Sequence, residues 1–190
     1  MRWDALFADL QVQFAAAEQR KLDQEISERA KVEASAIGLP DRLRASIGRE
    51  VSITVKPELR FSGTLGFVGL DWVLINTPAH SAIIPLRAMM SIEGLTRLAL
   101  SPSSRIQQSL SSAIRALASS RAEVTLCLSG ADGVPGTLSG VIVRVGADHC
   151  DLLQLPDRDS FPETERKKLS VPFRAVLAVA SWQVEARWRL

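Results

Sequence analysis

The chain contains no tyrosine, two cysteines, two histidines and an aromatic share of only 5% in 190 residues. Each scarcity narrows the field. Cys127 and Cys150 do not sit in a CxxC pattern, so they read as reduced core thiols, not as a disulfide framework or a metal knuckle. The histidines are His80 and His149, and His149 stands between Asp148 and Cys150. Adjacent residues on a strand point to opposite faces, so these three do not converge on a metal. No apolar stretch approaches the roughly 20 residues that span a bilayer. The opening MRWDALFADL carries acids where a signal peptide is apolar, so a cytoplasmic location without membrane attachment is expected. The glycine-rich GTLGFVG lacks the Lys-Ser/Thr pair and the following helix of a phosphate-binding loop. GxSxG, HExxH and paired-carboxylate helices are missing too. The expectation is a non-enzyme, with no catalytic residue, no cofactor and no metal.

What is present is a large apolar fraction, 46%, ample for a packed core. The net charge of +2 is too small to announce nucleic-acid binding. Residues 1–38 carry five Lys/Arg against seven acids, which leaves the rest of the chain mildly basic. That first segment lacks Pro and Gly from Trp3 to Ala36 and is rich in Ala, Glu, Gln, Lys and Arg, which favours a long helix. Trp3, Leu6, Phe7, Leu10 and Phe14 recur at helical spacing along one face. The pattern slips, then resumes at Leu22 and Ile26, and Gly38 and Pro40 end it. A single helix of this kind exposes its apolar stripe unless its own domains, a second copy or a different partner covers it. Trp3, Leu6, Phe7, Leu10 and Phe14 are therefore the candidate residues for partner capture or self-association.

A short helix is expected over 41–47, stopped by Gly48. VSITV (51–55) then alternates apolar and polar residues, the period of a half-buried strand. Further strands are expected over 60–68 and 71–76, and a broken fourth and fifth over 81–92. Pro85 lacks the N–H of a ladder residue and belongs at an edge or a strand start. The chain then starts over. Capping serines at 101–104 precede an amphipathic stretch at Ile106, Leu110, Ile114 and Leu117. Val124, Leu126 and Leu128 alternate with polar residues; GADGVPG supplies a turn, and Val141, Val143 and Val145 alternate again.

The two halves align. GTLGFVGLDWVLI from Gly63 parallels GVIVRVGADHCDLL from Gly140, and IPLRAMMSI (84–92) parallels VPFRAVLAV (171–179). Gly, Asp, Pro and Arg recur in the same order: Gly63, Asp71, Pro85 and Arg87, then Gly140, Asp148, Pro172 and Arg174. One small unit has been duplicated, and both copies are expected to close in the same way. The expected domains are a helix over 1–38, a first barrel over 39–100, and a second over 101–190 with longer loops and a C-terminal tail.

With its bent glycine-bearing strand (Gly63, Gly140) and its closing run, each repeat resembles an Sm-like barrel, the SH3-like fold of the Sm, LSm and Hfq proteins. The resemblance covers about residues 39–97 and 104–182. It implies a mainly β protein with some α: two small five-stranded barrels, each preceded by a helix, behind the long N-terminal helix. It also implies assembly into oligomers and, in the family, RNA binding through an Asp and an Asn after the bent strand. Those positions here read Gly69 and Gly146, then Val73 and Cys150, and the Tyr-Lys-His run of Hfq-type proteins is replaced by Pro-Leu-Arg and Pro-Phe-Arg. The resemblance therefore implies the fold and not the known RNA pocket.

Arg87 and Arg174 are the notable recurring pair. Such an arginine either lays its stem on apolar surface and bonds a carbonyl or an acid, or contacts an anion. Arg42, Arg44, Arg49 and Lys56 would extend an RNA-binding basic face around the first barrel. Trp72 reads as core, and the tail WQVEARWRL reads as a docking element or a base-stacking one. The leading expectation is a non-enzymatic adaptor or scaffold binding a protein partner, or itself, as a homo-oligomer or hetero-complex. The alternative is an RNA-binding protein of Sm-like type.

Overall fold

The structure, a computed structural model, describes residues 18–25, 27–29, 35–56, 59–78, 80–102, 108–130, 135–154 and 167–181. The chain divides into two compact units, residues 1–39 and 40–190. In the first, residues 18–25 and 27–29 are helical and exposed. Gln19 Nε2 donates to Asp23 Oδ1 and Gln24 Nε2 to Glu28 Oε1, both at 3.1 Å and both one helical turn apart. Leu22, 54% exposed, is the described apolar residue of this face. Trp3, Leu6, Phe7, Leu10 and Phe14 lie outside the described residues, as does Ile26.

The second unit is mainly β. Its first half is the helix Leu39–Arg44 followed by β1 (Glu50–Lys56), β2 (Leu59–Val68), β3 (Trp72–Asn76), β4 (Ser81–Pro85) and β5 (Ser91–Glu93). Its second half is the helix Leu110–Ser120 followed by β6 (Glu123–Ser129), β7 (Pro135–Val145), β8 (His149–Gln154), β9 (Lys168–Pro172) and β10 (Val176–Ala180). A single 3-10 turn, Leu86–Ala88 or Phe173–Ala175, separates the last two strands of each half. The first helix sits earlier than the sequence pattern suggests. It ends at Arg44 because the chain turns through residues 45–48. Gly48 then takes a left-handed φ of 82°, matched in the second half by Arg121 at 50°.

Among the described residues ten strands form one open antiparallel sheet in the order β5-β1-β2-β3-β4-β10-β6-β7-β8-β9. Within it each half keeps one internal order: its last strand pairs with its first, and the rest follow in sequence. The register repeats pair for pair. Val51 faces Gly63 as Val124 faces Gly140. Leu65 faces Ile75 as Ile142 faces Leu152, and each of these ladders slips by one residue just afterwards. Ile53 faces Ile92 as Leu126 faces Val179. The bend of the long second strand needs glycine. A Cβ on Gly63 would sit 2.5 Å from the Asn76 carbonyl oxygen, and one on Gly140 would collide with that of Leu153.

Two expectations change. The halves are not separate sheets, because β4 pairs with β10 and joins them; a strand edge left with unpaired N–H and C=O groups finds a partner in the other copy. Pro85 is neither at a sheet edge nor at a strand start. It is the last residue of the interior strand β4, beyond the two β4 residues, Ala82 and Ile83, that pair with β10. Its missing N–H therefore breaks no ladder bond.

Alternation places the core. β1 buries Val51, Ile53 and Val55 and turns Ser52 and Thr54 outward. Two apolar clusters result, one per half, and each borrows from the other. Cys127, Leu177 and Ala178 complete the first, and Trp72 and Ile83 complete the second.

Candidate functional site

The most built part of the molecule is the junction where the halves meet. Val179 pairs with Ile83 and Ala180 with Ala82. The Ser181 N–H donates to the Ser81 carbonyl at 3.0 Å, and the Ser81 N–H to Ser181 Oγ at 2.9 Å. Arg87 reaches across from the 3-10 turn of the first half. Its Nη2 donates to the carbonyl oxygen of Phe173, in the equivalent turn of the second half, and, at 3.3 Å, to that of Val176 at the start of β10. Five guanidinium donors in a planar fork suit such paired acceptors.

The other side of the junction is a helix start. Ser109 caps Leu110–Ser120, its side chain accepting from the Ser112 N–H. Asp71 Oδ1 accepts from the Leu110 N–H at 2.7 Å, placing a carboxylate where the helix dipole favours one. Trp72 is buried, and its Nε1–H donates to the Gln108 carbonyl at 2.9 Å; the Leu70 N–H donates to the same oxygen at the same distance. The sequence marks Asp71 as a recurring acid and a candidate partner for the recurring arginine, not as a helix cap. Its capping role shows no local signature, because the capped helix lies in the other half.

The remaining arginine candidates are spread out. Arg42 donates through Nε and Nη2 to the Thr96 carbonyl at 3.2 and 3.0 Å, tying the first helix to the segment after β5. Arg44 pairs with Asp41 one turn away. Arg49 is exposed just before β1, and Lys56 is half-buried at its end. Arg174 is exposed in its turn. Arg87 and Arg42 are thus engaged with backbone carbonyls, and the six cations do not gather around one described pocket. A cleft of about 290 Å³ does exist, lined by Arg60, Phe61, Ser62, Ile75, Thr77, His80 and Ala82. Arg60 itself is tied to Ser52 and Glu93.

The titratable groups fit a structural reading. Burial pushes the Cys127 and Cys150 thiols up to about 11, so both stay protonated at neutral pH. The hydrogen bond from His149 holds the exposed Asp148 carboxyl below its usual range. Asp151 is buried on β8 and is held low by the Ser170 hydroxyl at 2.7 Å and by Lys168 at 3.2 Å. Among the described residues, no group of three or more His, Cys, Asp or Glu side chains could hold a metal ion. Nor is any described helix long and apolar enough to cross a membrane. No family model matches the chain, and no curated protein matches it.

Proposed function

We propose that the protein is a non-enzymatic, cytoplasmic adaptor in which two fused Sm-like barrels form a scaffold and the N-terminal helix recruits a macromolecular partner. One observation carries this reading. The same five-stranded unit occurs twice, register for register, joined edge to edge, with the outer strands β5 and β9 each paired on one side only, to β1 and β8. Natural proteins protect such edges or use them for assembly. A strand order that returns the last strand of each half to its first, with a ladder slip in the long second strand, is what a small, partly open barrel needs. The exposed helical residues 18–25 and 27–29 support a recruiting arm.

The RNA reading has less support, because Arg87, its leading residue, already donates to two carbonyls. Affinity capture from native lysate, with and without nuclease, tests both readings together. A protein retained after nuclease treatment and lost on removal of residues 1–36 is the expected result. Unchanged capture by the truncated chain defeats the recruiting role. Loss of all capture on nuclease treatment replaces the adaptor with an RNA binder, whose affinity would then fall steeply with salt.

A further inference from the structure

The cleft of about 290 Å³ lies where the chain leaves the sheet. Its apolar walls are Phe61, Ile75 and Ala82, all buried in the first half's cluster, and the half-buried Thr77 and His80 line it as well. The second half carries a leucine where the first has Ala82: Ile75 pairs with Ala82 as Leu152 pairs with Leu169. Across the junction from Ala82 stands Ala180, which is small too. Two alanines thus leave room at the border of a core in which close packing fills most such spaces. The volume falls short of the roughly 300–1,000 Å³ usual for small-molecule pockets. It suits one large side chain.

Ser181 is the last described residue, and WQVEARWRL follows it. β10 fixes where the first of these residues falls. Ala178 packs in the first half's cluster and Val179 in the second's, so alternate residues of β10 face alternate clusters. Trp182 has the parity of Ala178 and Ala180, and so falls on the side of the first cluster. The ladder pairs Val179 with Ile83 and Ala180 with Ala82, and the two hydrogen bonds between Ser181 and Ser81 continue it. One further step, about 3.3 Å, brings position 182 opposite His80, beside the cleft that His80 and Ala82 line.

We propose that this cleft is a docking site for an aromatic side chain carried on an extended strand, and that its occupant is Trp182 of the chain's own C-terminal tail. The tail prolongs β10 past Ser181, and the indole covers Phe61, Ile75 and Ala82. A buried indole N–H needs an acceptor, and the cleft carries the hydroxyls of Ser62 and Thr77. Docking completes the first half's apolar cluster and lengthens a junction whose described β4·β10 ladder has only two pairs. While the tail is docked, the cleft is closed to other ligands. Docking of the tail is independent of the adaptor reading.

The test is the tryptophan emission of the full-length chain with and without Trp182. The difference between wild type and Trp182→Phe isolates the contribution of Trp182 from those of Trp3, Trp72 and Trp188. That contribution is expected at short wavelength and shielded from acrylamide. Ala82→Leu fills the cleft as Leu169 fills the equivalent place in the second half. In that background the contribution of Trp182 should move to long wavelength, and its quenching by acrylamide should rise several-fold. Trp182→Ala should lower the melting midpoint by roughly 4 °C, the scale of a partly buried side chain in a domain of this size. A contribution already at long wavelength and freely quenched in the wild-type chain overturns the proposal, whether or not Ala82→Leu folds. So does a midpoint that Trp182→Ala leaves in place, or a shielded contribution that a folded Ala82→Leu chain does not expose.

Discussion

The two halves of the sheet share their strand order, their register and their ladder slips, yet equivalent positions lead different chemical lives. Trp72 is buried with its N–H on a carbonyl; at the same register stands His149, half-buried and hydrogen-bonded to Asp148. Leu74 is matched by Asp151, and Thr54 by Cys127. The backbone unit recurs, and the side chains differ with what each surface faces. Asp71, Trp72 and Arg87 of the first half bond across the junction; their counterparts Asp148 and Arg174 are exposed and His149 is half-buried. The differences between equivalent side chains thus follow which surface is interior.

The sharpest way to break this comparison is at the core positions that did not diverge in role. Ile53 and Leu126 are both 0% exposed and occupy the same register in β1 and β6. Ile53→Ala and Leu126→Ala should each cost about 3 kcal/mol, the usual scale for a buried aliphatic cut back to alanine. Both losses should appear as an earlier midpoint of one denaturant transition, since the halves share a ladder and exchange core residues. Two separated transitions, each moved by only one substitution, would mean that the halves unfold independently.

Much of this arrangement can be read from the residues themselves. Alternation in VSITV marks β1, and the Gly63 and Gly140 alignment marks the bend, because a period of two and a missing Cβ are local properties. The recurrence of the unit is legible for the same reason. The joining of the two sheets is not. It depends on Ala82 and Ile83 meeting Ala180 and Val179, pairs far apart in sequence with no distinguishing chemistry. Pro85 misleads because its missing N–H falls just past the last cross-half pair, which a pattern in one strand does not reveal. Arg87 is legible as a recurring residue and as a carbonyl binder, but not in its choice of carbonyls.

A smaller effect separates the two arginines. Arg87→Ala removes a charged donor from two carbonyls at the junction and should cost about 1.5 kcal/mol in the unfolding free energy of dilute protein. Arg174→Ala in the same dilute protein should leave the midpoint unchanged. Equal losses would mean that Arg174 has an internal role and that the asymmetry is false. The two acids make a parallel pair. Asp71→Ala deletes the carboxylate at the start of Leu110–Ser120 and should cost about 1 kcal/mol. Asp148→Ala is expected to cost clearly less than Asp71→Ala at neutral pH, because its hydrogen bond to His149 is exposed. Thermal or denaturant midpoints of the four variants decide the matter.

The smallest effect concerns acid. At the register where the first half has Leu74, the second has Asp151, bonded to the Ser170 hydroxyl and to Lys168 on the edge strand β9. These contacts hold its carboxyl below the ordinary value of 3.8. The folded chain therefore binds fewer protons there than the unfolded chain, and stability rises with pH across that interval. The contribution is complete above the ordinary carboxylate range and is lost as pH falls through the lowered folded value. Asp151→Leu, which restores the residue of the first half, should flatten the dependence of the unfolding midpoint on pH below about 4. Asp148→Asn should do the same more weakly, because its lowering comes from the exposed hydrogen bond with His149. Midpoints measured from pH 2 to pH 7 for wild type and both variants give the slopes directly. If Asp151→Leu keeps the wild-type slope, the carboxylate does not tether β9 to the sheet, and only backbone pairing holds that edge.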